Sequence, residues 1–526
     1  MSILDSTQVV MYILKTMKKF IIDGHSITIQ SLHEMVFTQG TFELAASAQK
    51  EITKSRDYIE SRIKNGEVMY GVNTGFGAFS SVRISDSEIE QLQKNLIRSH
   101  SMGIGEPFSK IQSKAMMILR ANTLARGHSG VRVAVIEKIL EFLNHDLIPV
   151  IPSQGSVGAS GDLAPLSHLA LALIGEGEIW QNDKVVHCSQ ALQTVKPLEL
   201  KAKEGLSLIN GCQVMTAVGL LSLYESQQLL KLADISGAMS LEGLRGSRRP
   251  FDPLISATRP HAGESPTAAN LIKIMGETSE IAESHLHDDP RVQDAYSLRC
   301  MPAVHGAAKM AIQYAVKVLE TEANSSTDNP LVFADAGKIL SCGNFHGMPV
   351  AHALDFAAIA ISSLASISHE RISKFISTQM SELPPFLAPQ GGLNSGHMIV
   401  QVASASLVSE NKVLAHPASV DSMPTSAEKE DHVSMGTIAA RKFASIVKNA
   451  QNVLAMELLA STQALDMIAP LKPAAGVRAA FDLIRSEVPF AKEDRIFAND
   501  VKKILALIQT DRIVSAVEKT VGTIQI

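Results

Sequence analysis

Residues 204–241 read EGLSLINGCQVMTAVGLLSLYESQQLLKLADISGAMSL. No proline interrupts them, and apolar residues fall on a broad face with Ala, Gly and Ser between. That pattern predicts one or two long helices packed among other helices. Three more stretches read the same way: His305–Glu322, Pro349–Ile376 and His432–Leu465. Tryptophan occurs once and aromatics make up 5% of the chain, which suits close packing of small side chains between helices. Short strands are expected only locally. GEIWQNDKVV at 177–186 reads as a hairpin turning at Gln181-Asn182-Asp183, and PLVFADAGKIL at 330–340 as another turning at Ala334 to Gly337. No strand–helix alternation runs through the chain, which disfavours doubly wound folds and the TIM barrel. The fold class expected is mainly α.

With 526 residues there is enough chain for a large core and more than one structural unit. The first 204 residues are richer in glycine-containing loops, and helices dominate 205–526, so a soft boundary is placed near residue 205. Net charge is −5, which recommends neither nucleic acid nor an anionic membrane as partner. Cys188, Cys212, Cys300 and Cys342 are scattered and form no CxxC, as expected of reduced thiols in a cytoplasmic protein. The first twenty residues place Asp5 early and their lysines after the apolar stretch, the wrong order for a secretory signal. AHALDFAAIAISSLASIS is interrupted by His352 and Asp355, so no membrane span is predicted.

The stretch 155–164, GSVGASGDLA, sets three glycines within seven residues before a carboxylate and an apolar run. It lacks the lysine of a phosphate-binding loop and the G-x-G-x-x-G spacing. Attack of the Gly161 nitrogen on the Ala159 carbonyl carbon would close a five-membered ring through Ser160, and glycine reaches the backbone angles this needs. Loss of water from the ring and from Ser160 would leave a methylidene-imidazolone with an electrophilic carbon. The plainer alternative is a flexible loop whose Asp162 caps the following helix.

Around that stretch stand YGVNTGFG at 70–77, SHSMGIGEP at 99–107, EGLSLINGCQ at 204–213 and QDAYSLRC at 293–300. STDNPLVF at 326–333, GNFHGMPVA at 343–351 and EDHVSM at 430–435 complete the series. In this order the blocks resemble the aromatic amino acid ammonia-lyases over nearly the whole chain from about residue 50. The resemblance implies an elongated central helical bundle, with the cofactor carried by a loop-rich N-terminal region. It implies that Ala159, Ser160 and Gly161 become 4-methylidene-imidazol-5-one, with no metal or nucleotide. It also implies a homotetramer with active sites shared between subunits.

The implied roles follow the matching positions. Tyr70 matches a catalytic tyrosine on a lid loop. A phenol is a weak base near neutral pH, so it needs help from positive charge or hydrogen bonding. Arg299 matches the residue that grips the substrate carboxylate through its planar fork. Tyr296 matches a tyrosine near the leaving amine, with Gln293 able to orient either. Asn210 matches an amide supporting the cofactor oxygen, and Phe345 an aromatic packed over the ring. Cys212 stands where the family commonly has Thr. Ser99-His100 matches the histidine-specific form of the selectivity site, and His100 can hydrogen-bond an imidazole nitrogen. Glu430 matches a carboxylate of the histidine-specific members; without the resemblance, Glu430-Asp431-His432 reads as a helix N-terminus. The expected reaction is loss of ammonia from L-histidine to give trans-urocanate. Phenylalanine or tyrosine lyases and 2,3-aminomutases share the same parts. A metal-dependent hydrolase built on His285, His287, Asp288, Asp289, His305 and His346 is the rival from another class, disfavoured because no strand presents the pair.

Overall fold

The stretch at 204–241 forms two helices, Glu204–Ile209 and Gln213–Gly243, broken at Asn210-Gly211-Cys212. Gly211 causes the break: its φ is +146°, and a Cβ there would sit 2.4 Å from Thr327 Oγ1. This computed structural model describes residues 18–75, 77–79, 82–181, 184–191, 195–287, 289 and 291–526. The reading of the N-terminus as lacking a secretory signal falls largely outside them, as does Asp288. The other long helices are Met301–Ala323, Met348–Ile376 and Gly436–Met467. The last begins four residues later than expected, because Met435 takes a φ of +56°. Its N–H donates to Val157 O at 2.9 Å, which ties the preceding segment to the glycine-rich stretch.

Both expected hairpins are present, as Glu178–Gln181 with Lys184–His187 and Leu331–Phe333 with Lys338–Leu340. Three strand pairs were not expected: Ile104–Pro107 with Pro152–Gln154, Ile148–Pro149 with Glu178–Gln181, and a parallel pair near residue 20. Lys18–Ile22 and Gly40–Leu44 run parallel in unbroken register from Lys18↔Gly40 to Ile22↔Leu44. The connecting helix Ile29–Phe37 opens on a reciprocal Thr28–Ser31 cap. By length and composition Met348–Ile376 could cross a membrane, but 61% of its most apolar window is buried within the chain, as in a core helix.

The chain divides into two compact units, each assembled from separated segments: 1–221, 316–354 and 418–441 form the first, and 222–315, 355–417 and 442–526 the second. A single boundary near residue 205 therefore does not describe the division. Four of its five points fall inside the four long helices and the fifth follows the helix Met398–Leu414, so residues distant in sequence share one unit. In the first unit the helix Lys110–Ala125 is buried nearly all round and carries Arg120 into the interior. In the second unit Arg371 and Glu457 are fully buried and bonded at 2.5 Å, with Ser236, Ser240 and Ser368 also donating to the carboxylate. Every acceptor of that carboxylate is engaged, the condition under which a buried ion pair is tolerated.

Candidate active site

Tyr70, His100, Ser160, Asn210, Phe345 and Glu430 line one cavity of about 1230 Å³. All six belong to the first unit. Gln293, Tyr296 and Arg299 belong to the second and do not line this cavity. There Tyr296 and Arg299 bound a single helical turn, with the guanidinium 4.5 Å from the ring centroid. Arg299 Nε donates to Asp294 O at 3.0 Å, which orients the group and leaves its terminal nitrogens for a ligand.

The Ala159-Ser160-Gly161 turn is gripped on two sides. Gly161 has φ +73°, and a Cβ on it would lie 2.2 Å from Gly211 O. Gly161 pairs with Gly211 in a bridge, and Asp162 N donates to Gly211 O at 2.7 Å. On the other side Ser434 Oγ donates to Gly158 O at 3.1 Å. Ser160 Oγ donates to Glu430 Oε1 at 2.8 Å, and Asn210 Nδ2 to Ser160 O at 3.2 Å. Asn210 Oδ1 is buried without a hydrogen-bond partner. Arg120 holds the Asn210 side of this bed, donating to Asn210 O at 2.9 Å, to Gln213 Oε1 and to Ser207 O. Burial lowers its guanidinium to about 10.

Asp162 does cap a helix, but not the one that follows it. Its Oδ2 accepts from Val214 N and Met215 N, both at 3.0 Å, at the start of Gln213–Gly243. Burial raises its pKa to about 6 against the opposing hydrogen bonds. Nearby, burial raises Glu322 to about 7, and its Oε1 is unpartnered. Cys212 Sγ donates to Phe345 O at 3.0 Å, serving there as a hydroxyl donor would.

His100 Nδ1 lies 2.9 Å from Leu96 O. A carbonyl only accepts, so Nδ1 carries the proton and Nε2 is an acceptor. Burial lowers this imidazole's pKa, which favours the neutral form. The loop bearing Tyr70 is pinned by Asn73, which accepts from Met69 N and donates to Glu67 O. Glu430 does not open a helix. It lies before Gly436, in a backbone bridge with Thr425. Sequence reading missed Thr425 and the cavity-lining Ser426, Ala427 and Lys429. Only the closeness of TSAEK to Glu430 could have pointed to them. Of the residues in the rival metal reading, Asp289 pairs with Arg291, which holds the carboxyl down to about 2. Among the described residues no cluster of three or more His, Cys, Asp or Glu could hold a metal.

The tyrosine, the carboxylate and the glycine-pinned serine turn thus share one cavity in a mainly helical fold. The chain belongs to the aromatic amino acid lyases, whose family model matches residues 27–486. It is 50% identical over 510 residues to a histidine ammonia-lyase of Sorangium cellulosum, covering 95% of this chain and 99% of that one. Among solved structures it resembles histidine ammonia-lyase from Trypanosoma cruzi, with TM-score 0.89, 40% identity and 96% of each chain covered. It also resembles tyrosine aminomutase from Streptomyces globisporus, with TM-score 0.91, 34% identity and coverage of 97% and 100%.

Proposed function

We propose that this protein eliminates ammonia from L-histidine to give trans-urocanate, using a prosthetic group made from Ala159, Ser160 and Gly161. The observation that carries the proposal is the Ser160 turn itself: left-handed at Gly161, closed against Gly211, and bonded through Ser160 Oγ to Glu430. These residues fit the group. The space beside Gly161 admits no Cβ, and the unpartnered, buried Asn210 Oδ1 belongs to a side chain already bonded to Ser160 O. Ring closure joins Gly161 N to Ala159 C, and two waters leave, one carrying the Ala159 oxygen and one the Ser160 oxygen. Glu430 Oε1, 2.8 Å from Ser160 Oγ, is placed to exchange a proton with that departing hydroxyl. Once formed, the methylidene-imidazolone supplies an electrophilic carbon that makes the substrate amine a better leaving group.

The chain's own residues supply the rest. Tyr70 takes the β-proton from its loop at the cavity edge. Arg299 offers its terminal nitrogens to the substrate carboxylate, with Tyr296 beneath the guanidinium and Gln293 beside them in sequence. Phe345 lines the same cavity as Ser160, where it would pack against the group, and Cys212 donates to the Phe345 carbonyl. Histidine is favoured over phenylalanine or tyrosine because His100 offers an acceptor nitrogen and Glu430 a carboxylate, both of which an imidazole N–H can meet. The assembly proposed is a homotetramer with shared sites, supported by the 71% exposure of Tyr296. The four free cysteines support a cytoplasmic location.

Incubation of the purified protein separately with L-histidine, L-phenylalanine and L-tyrosine tests this reading through the near-UV absorbance of the conjugated acid. Histidine is expected to react fastest, in the presence of a chelator, and Ser160→Ala to lower kcat by at least about a thousandfold. Preferential turnover of phenylalanine would overturn the substrate assignment. A β-amino acid as main product would make the protein an aminomutase.

A further inference from the structure

Glu430 is held from both sides by hydroxyls. Ser160 Oγ donates to its Oε1 and Thr425 Oγ1 to its Oε2, each at 2.8 Å. Thr425 and Glu430 also exchange backbone bonds, Thr425 N to Glu430 O at 3.0 Å and Glu430 N to Thr425 O at 3.3 Å. Between them the chain makes a tight turn in which Ser426, Ala427 and Glu428 take φ of +54°, +53° and +64°. Three successive non-glycine residues in the left-handed region form an unfavourable conformation that persists only where its surroundings hold it, and such strain gathers at functional sites. Here both ends are clamped at one carboxylate. Ser426 and Ala427 line the same cavity as Tyr70. Ser426 Oγ is 3.3 Å from the position of a Cβ on Gly77, so the turn also abuts the loop that follows Tyr70.

We infer that Thr425 is a positioning residue: its hydroxyl anchors Glu430 Oε2 so that Oε1 keeps its aim once the oxygen of Ser160 is gone. The inference rests on the function proposed above. Loss of the Ser160 hydroxyl removes one of the two anchors of the carboxylate and leaves the other. A carboxylate tethered through one oxygen cannot rotate about its terminal bond without breaking that tether. The untethered oxygen therefore stays directed into the cavity, available to a donor on the substrate. Without Thr425 the carboxylate would have to be ordered at each turnover.

The test compares Thr425→Val, which keeps shape and backbone bonds but removes the hydroxyl, with Thr425→Ser, which restores it. Each is assayed for kcat, KM, melting temperature and the near-UV absorbance of the cyclised tripeptide. The valine variant is expected to melt within a few degrees of the parent and keep that absorbance. Its kcat should fall roughly tenfold to hundredfold, about 1.4–2.7 kcal/mol at 1.36 kcal/mol per decade, with KM changed much less. Serine should recover most of the loss. In a Glu430→Gln background the valine change should alter kcat less than about twofold, because the group it positions is no longer a carboxylate. If valine unfolds the chain, Thr425→Ala replaces it in the same comparison. Valine kcat within twofold of the parent, failure of serine to recover activity, or additivity with Glu430→Gln would each overturn the inference. Turnover of phenylalanine instead of histidine would sink only the substrate assignment, and the comparison is then read with phenylalanine. A parent protein inactive on all three amino acids would sink both.

Discussion

Gly161 is the residue at which backbone geometry and chemistry meet. Its positive φ and the closeness of Gly211 O leave no room for any side chain. Gly161→Ala should therefore lower stability by about 1–3 kcal/mol or more, from the left-handed backbone and the clash together. On the function proposed, it should also abolish the near-UV absorbance of the cyclised tripeptide. Denaturant titration and an absorbance spectrum of the same sample check both. A variant that retains that absorbance would show that the turn tolerates another route to closure. At this scale the sequence was informative where a distinctive block surrounds the residue, as at Tyr70, Ser160 and Asn210. It was silent at Thr425, whose importance lies in a left-handed turn and a bond across five residues. Neither propensity nor spacing announces that combination.

Among the elements, the long apolar stretches rich in small residues marked the long helices, and the hairpins were legible from their turn residues. The break at Gly211 was not, since glycine inside an apolar run is also compatible with a continuous helix. Nor was the later start of Gly436–Met467, which is set by bonds to residues 157 and 158 and not by local sequence. Asp162 shows the same limit. Its place before an apolar run reads correctly as a cap, but the helix it caps begins 51 positions on, at Gln213. Its buried carboxyl titrates near 6 in the folded chain against an ordinary 3.8. The folded state thus binds the proton more tightly than the unfolded one. Its contribution to stability is fully present below about pH 4 and is lost as pH rises through about 6, on the order of 3 kcal/mol in all. Asp162→Asn keeps an acceptor oxygen for the helix and cannot titrate. Urea midpoints measured from pH 4 to 7 should therefore slope less steeply for the variant than for the parent; parallel curves would assign the titration elsewhere.

For the molecule as a whole, the cavity residues fall in one unit and the Tyr296–Arg299 turn in the other. If active sites are shared among subunits, Tyr70→Phe and Arg299→Ala damage different contributions to each site. Each variant alone should be nearly inactive, while the two refolded together should regain up to about a quarter of parental activity through random assortment. Mixtures no better than the separate variants would place both residues in the same chain's site. The interleaving of segments was not legible from the sequence, because compositional change along the chain reports local structure and not which distant pieces pack together.

The clasp on the Ala159-Ser160-Gly161 turn also imposes an order in time. Its two jaws are Asn210-Gly211 and the Ser434-Met435 pair, the latter some 275 residues downstream of the loop it holds. On the function proposed, a nascent polypeptide halted on the ribosome before Met435 emerges would lack half of that grip, and its Ser160 would keep an ordinary hydroxyl. Maturation would then serve as a completion check: fragments and misfolded copies would remain chemically inert until the fold is finished.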